Sequence, residues 1–173
     1  PIYVYDQEDL EHIREKVNKG IDSYRGKMII LMDNIHLKNW NEPIGNNQYN
    51  FEGSFEGRGN TISGFRGEPL FGYINKADIA SLTVEGRIFN TKLKVKTYLS
   101  FDEKLRLTAL GGIAKVAVNS SFVCCENECM VAGTDCVGGI CGSIYNDASF
   151  LRCTNKSNLM GTRAVGGIFG AMY

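Results

Sequence analysis

Three glycine doublets, Gly111-Gly112, Gly138-Gly139 and Gly166-Gly167, stand 27 and 28 residues apart. Each opens a related hexad: Gly112-Ile-Ala-Lys-Val-Ala117, Gly139-Ile-Cys-Gly-Ser-Ile144 and Gly167-Ile-Phe-Gly-Ala-Met172. An upstream relative is Pro69-Leu-Phe-Gly-Tyr-Ile74, and Lys115 stands where the other three carry glycine. The register extends beyond the turns. Ile79, Phe122 and Phe150 form one apolar column, with one extra residue in the last copy, and Leu82, Cys125 and Cys153 form the next. Ile88, Val131 and Leu159 form a third, and Phe71, Ala114, Cys141 and Phe169 a fourth. A repeat of about 28 residues cannot bury its inner face alone; copies must stack, each against its neighbours. The segments are too short and glycine-broken for helix pairs, and their alternation is that of strands. No copy has the leucine-rich pattern, and a propeller blade needs about 40 residues. The expected fold is all-β: a right-handed parallel β-helix over residues 1–173.

The N-terminal segment 1–24 reads as a cap. Asp6 or Asp9 can open a helix, Leu10, Ile13 and Val17 share one face, and Gly20 can stop it. Residues 25–89 supply the first coils. Lys27–Asp33 reads as a buried strand, and Phe51, Phe55, Ile62 and Phe65 point inward around glycine turns. Residues 90–110 exceed what a coil requires, and Lys92–Leu99 alternates, so an inserted β-hairpin is expected. Its outer face would carry Lys92, Lys94, Lys96, Lys104 and Arg106, the candidate interaction surface. Residues 111–173 are the coils with glycine doublets. The final strand from Gly166 has no visible cap, so continuation of the chain, or end-to-end or edge self-association, is expected.

Composition narrows the function. Lys plus Arg equals Asp plus Glu at 19 each, which speaks against nucleic acid or an anionic membrane surface as partner. No apolar run reaches the roughly 18 residues of a membrane span. Six cysteines, Cys124, Cys125, Cys129, Cys136, Cys141 and Cys153, admit disulfides. The column containing Cys125 and Cys153 favours reduced, buried thiols instead. A zinc site is the sharper alternative, but Cys-Cys-x-x-x-Cys is not a usual structural spacing and no histidine lies nearby.

Catalytic constellations are hard to find. The columns bring Asp78, Ser121 and Ser149 to one corner near Asp147, and pair Asp135 with Arg163. Neither is the paired-carboxylate arrangement of a glycosidase. His12 and His36 have no serine or cysteine partner in a triad-like motif. No phosphate-binding loop or dinucleotide fingerprint is present. No cofactor, metal or catalytic residue is expected.

Ile44-Gly45, the stretch Phe51-Glu-Gly-Ser-Phe-Glu-Gly-Arg-Gly-Asn-Thr-Ile-Ser-Gly-Phe65, and Leu70-Phe-Gly-Tyr-Ile74 together resemble a signature of bacterial surface proteins with GLUG repeats. Val137-Gly-Gly-Ile-Cys-Gly142 and Val165-Gly-Gly-Ile-Phe-Gly170 resemble the core of those repeats. Arg58 and Asn60 depart from the signature. The resemblance implies a pectin-lyase-like β-helix, export to the cell surface or medium, and membership of a larger adhesin-type protein. It implies no shared activity. The expected role is a non-catalytic structural or adhesive module that meets glycan, host or matrix protein. The alternatives are a truncated polysaccharide lyase or hydrolase and an inert spacer.

Overall fold

In this computed structural model residues 1–90, 100 and 108–173 are described. They are mostly β, in parallel sheets, with one helix. The chain opens with β1 (Ile2–Val4), α1 (Gln7–Asn18), β2 (Met28–Leu31) and β3 (Ile35–His36). Next come β4 (Ser54–Glu56), β5 (Thr61–Gly67), β6 (Phe71–Asn75), β7 (Asp78–Ala80) and β8 (Thr83–Phe89). Beyond residue 107 follow β9 (Leu110–Gly111), β10 (Ala114–Val123), β11 (Glu126–Ala132), β12 (Asp135–Gly138) and β13 (Cys141–Leu151). β14 (Thr154–Asn155), β15 (Leu159–Met160), β16 (Arg163–Gly166) and β17 (Phe169–Met172) complete the order.

The strands form three sheets. The first runs β1-β2-β4-β7-β10-β13-β17, with β6 also paired to β10. The second runs β14-β11-β8-β5-β3, with β15 also on β11, and the third runs β16-β12-β9. Most partners lie one repeat apart in sequence, and β1–β2, β6–β7 and β14–β15 are the consecutive strands that share a sheet.

The columns read from sequence are in register. Ile2, Ile29, Phe55, Ile79, Phe122 and Phe150 are successive Cα partners across the first sheet. Phe71, Ala114, Cys141 and Phe169 pair in the same sheet, and Ile88, Val131 and Leu159 pair in the second. The first glycines of the doublets, Gly111, Gly138 and Gly166, pair in the third. The extra residue of the last copy is a register shift in the β10–β13 pair just after Val118. Burial follows the columns. Ile29, Ile79 and Phe122 are fully buried, and Phe55 nearly so. Phe122 stacks on Phe150 at 5.1 Å between ring centroids, with planes 2° apart. Phe51, Phe55 and Phe71 make a second aromatic cluster, with centroid distances of 5.0 and 5.6 Å.

Eleven described non-glycine residues sit in the left-handed region, and three of them share one corner. Ser81, Cys124 and Arg152 each have φ of 53°. Each immediately precedes a member of the Leu82, Cys125, Cys153 column. A left-handed residue bearing a Cβ costs roughly 1–2 kcal/mol. Here the backbone recovers hydrogen bonds to the next repeat, from the Ser81 N–H to the Val123 carbonyl and from the Cys124 N–H to the Leu151 carbonyl.

At the other end α1 closes the core. Asp6 is its N-cap and accepts from the Asp9 N–H at 3.0 Å, while the Asp9 carboxylate accepts from the Tyr5 N–H. At the C-terminus the Gly20 N–H bonds the Val17 carbonyl and the Ile21 N–H bonds the Lys16 carbonyl. Gly20 has φ of +71°, the left-handed stop such a motif needs. Leu10, Ile13 and Val17 are buried against the sheets. Gln7 exchanges hydrogen bonds with the Lys38 backbone, and Asn18 bonds the Pro43 carbonyl and the Gly45 N–H. The first buried strand is shorter than expected: β2 stops at Leu31, and Met28 is exposed.

The expected hairpin falls almost wholly outside the described residues. Thr108 and Ala109, at the C-terminal edge of that stretch, are both buried. Ala109 packs with Val116 and Cys136 in a small second apolar cluster. The interior columns carry the stability. Phe122→Ala is expected to cost about 3–5 kcal/mol, the range for a buried aromatic truncated to alanine, and Phe150→Ala, on a partly buried side chain, distinctly less. Urea unfolding of the two variants checks the order.

Candidate functional site

Lys92, Lys94, Lys96, Lys104 and Arg106, the surface singled out from sequence, lie outside the described residues. The other expected pairings are found. Ser121 Oγ donates to Asp78 Oδ1 at 2.6 Å, with Ser149 next in register. Arg163 makes a forked pair with Asp135, at 2.6 and 3.1 Å, on an exposed face. Lys115 is more than a surface change: its ammonium meets Glu68 at 2.6 Å, and both side chains are largely buried. His36 Nδ1 is 2.9 Å from Ser63 Oγ, and His12 lines a shallow groove with Glu8, Glu11, Glu15 and Glu42. Among the described residues no group of three or more His, Cys, Asp or Glu could hold a metal ion.

One carboxylate pair was missed from sequence. Glu128 is the register partner of Glu85 on the outer side of the second sheet. The signal was present, because the same offset that sets Val131 over Ile88 sets Glu128 over Glu85. Adjacent strands stand about 4.8 Å apart, so the two carboxyl groups are near neighbours. Glu126 beside them is tied to Lys156 at 2.5 Å.

The thiols occupy distinct environments. Cys124 is exposed at its corner, whereas Cys125, Cys129, Cys136 and Cys141 are buried and Cys153 is half-buried, all unbridged. Val123 pairs with Leu151 and Glu126 with Thr154, so Cys125 lies over Cys153. Their closeness separates their acidities: Cys153, held by the neighbouring Cys125 thiol, is lowered, whereas Cys125, beside Cys153 and buried, is raised. Burial raises Cys141 to about 12. Burial also raises Cys129, with the Glu85 and Glu128 charges adding to it.

A second polar feature is internal. In the second sheet Ile35, Ile62, Val84, Asn127 and Asn155 are successive partners, so an apolar column turns into a pair of asparagines. Asn127 is fully buried. Its Nδ2 donates to the Cys129 carbonyl and to Asn155 Oδ1, both at 2.9 Å, and its Oδ1 accepts from the Cys129 N–H. A buried carboxamide is tolerable only with its bonds made, and here they are. This ladder explains the second glycine of the first two doublets. A Cβ on Gly112 would fall 2.1 Å from Asn127 Oδ1 and 2.4 Å from the Gly139 carbonyl oxygen. A Cβ on Gly139 would fall 2.7 Å from Asn155 Cγ and 2.1 Å from the Gly167 carbonyl oxygen. The asparagines were not singled out from sequence, although their 28-residue separation carried the signal.

The described residues therefore define a class no finer than a mostly-β chain of parallel sheets, with its repeats in register. No family model, no curated protein and no solved structure matches this chain.

The thiol geometry has a direct consequence. In a Cys124→Ser variant, alkylation by iodoacetamide is expected first at Cys153, the one remaining thiol that is only half-buried, with a rate that rises with pH as its thiolate forms. Cys125, Cys129 and Cys141 are expected to stay unmodified until the protein is unfolded, which peptide mass mapping reads out.

Proposed function

We propose that the chain winds as a right-handed parallel β-helix and is a non-catalytic, adhesive or structural module of an exported bacterial surface protein of the GLUG-repeat kind. The observation that carries this reading is the set of interior columns repeated at about 28 residues across three parallel sheets. Columns of that kind make a stiff stack whose inner face is apolar and whose outer face is free to vary. The outer positions carry mixed charge and small polar groups, suited to contact with glycan, host or matrix protein. The basic residues Lys92, Lys94, Lys96, Lys104 and Arg106 are the surface we assign to that contact.

Two experiments test it. Deleting the 28 residues from Cys125 to Arg152 removes one whole repeat and joins Cys124 to Cys153 in register. In a wound stack of modular repeats the shortened chain is expected to keep its β circular dichroism and a cooperative melt, whereas deletion of half a repeat destroys both. Loss of structure in both deletions would refute the winding. A glycan and matrix-protein array with the whole chain is expected to return a ligand whose binding falls at least about tenfold, roughly 1.4 kcal/mol, when the five basic residues become alanine. An empty array leaves the inert-spacer reading standing instead.

The Glu85–Glu128 pair favours one alternative, a carbohydrate-active enzyme, because retaining glycosidases hold two carboxyl groups about 5–5.5 Å apart. Polysaccharide cleavage by the chain that is lost in Glu85→Gln and Glu128→Gln would establish that alternative and displace the adhesive role.

A further inference from the structure

The last repeat, from Asp147 round to Met172, presents a face that differs from every repeat before it. Phe122 is fully buried and Phe150 only partly. The same change separates Cys125 from Cys153 and Val131 from Leu159. Met160, Phe169 and Met172 are exposed, and no strand lies beyond β14, β15, β16 or β17 among the described residues.

Two details say what fits there. The asparagine ladder is directional. Asn127 spends one Nδ2 proton on the carbonyl two residues on and the other on the Oδ1 of the next asparagine. Asn155 repeats the first bond, to the Ser157 carbonyl at 3.1 Å, and its Oδ1 again accepts from the N–H two residues on. Its second proton has no acceptor among the described residues. The other detail is Gly167. Gly112 and Gly139 are each required by two groups: an asparagine side chain about 15 places further on and the glycine carbonyl of the following repeat. A Cβ on Gly167 would meet nothing within 4 Å. The sequence keeps glycine where this structure gives no reason for it, and a following repeat with its own asparagine supplies both reasons.

We infer that this face is a docking surface for an extended segment that adds in parallel register, with a carbonyl-type side chain over Asn155 and apolar side chains over Cys153, Leu159 and Phe169. The occupant is a further repeat of the same pattern, running in the same sense as those below it. A second copy of the chain docked face to face fits poorly. It offers the ladder the same spare donor rather than an acceptor, and its strands run against the parallel sense of every pair seen here. The inference rests on the winding proposed above, and the repeat-deletion experiment tests that winding separately.

The test uses the whole 173-residue chain and a labelled synthetic peptide copying residues 147–173, followed by fluorescence anisotropy. Saturable one-to-one binding is expected, with slowed amide exchange in β16 and β17. In the peptide, Asn155→Asp keeps the acceptor and is expected to bind nearly as well. Asn155→Leu removes the acceptor and is expected to bind at least about tenfold more weakly. In the protein, Gly167→Val fills space that only the docked segment needs, so the melting temperature is expected to hold while binding is lost. Failure of the parent peptide to bind, or binding indifferent to Asn155→Leu and Gly167→Val, would overturn the inference. So would a face-to-face dimer, seen by sedimentation, that Gly167→Val disrupts.

Discussion

Every repeat of this chain is incomplete by itself, and what completes it is the in-register contact of its inner side chains with those of the repeats before and after. A strand pair such as β10 and β13 matches Ala114 with Cys141 and Phe122 with Phe150 along nearly its whole length. Backbone hydrogen bonds hold the pair at strand spacing, and the side chains of one column then have nowhere to go but against each other. Buried aromatic and aliphatic side chains contribute roughly 1.5–3 kcal/mol each. The columns are thus the main source of stability, and register is the condition for it. Slipping one strand by one residue would send its whole inner set outward.

Other features follow from that constraint. Cys125 and Cys153 come together because they share a column, and their closeness, more than either local sequence, separates their acidities. Asn127 can be buried because Asn155 lies one repeat on and takes its second proton. The glycine doublets follow from the same stacking: the first glycines pair in the third sheet, and Gly112 and Gly139 make room for the asparagines. α1 buries Leu10, Ile13 and Val17 in the same apolar core as the columns.

The outer faces have no such constraint, and their chemistry is correspondingly varied. Glu85 and Glu128 are set side by side, and Asp135 holds Arg163. These contacts come from stacking distances, so they can change without disturbing the columns beneath. A chain built this way separates what keeps it folded from what it presents.

Much of this was readable from the chain of residues. The 27- and 28-residue spacing of the doublets gave the partners of Phe122, Val131 and Cys141, because a repeated apolar pattern has one way to bury itself. The helix could be placed from Asp6, its apolar face and Gly20, because capping and periodicity act within a few residues. The left-handed corners at Ser81, Cys124 and Arg152 were not legible, since none is a residue that favours that conformation; hydrogen bonds to carbonyls of the next repeat hold Ser81 and Cys124 there. The repeat offset set Asn127 beside Asn155 and Glu85 beside Glu128, but neither the hydrogen bonds of the asparagines nor the space beside Gly167 could be read from it. Each depends on which side chains two repeats bring within bonding distance, and only the folded chain fixes that distance.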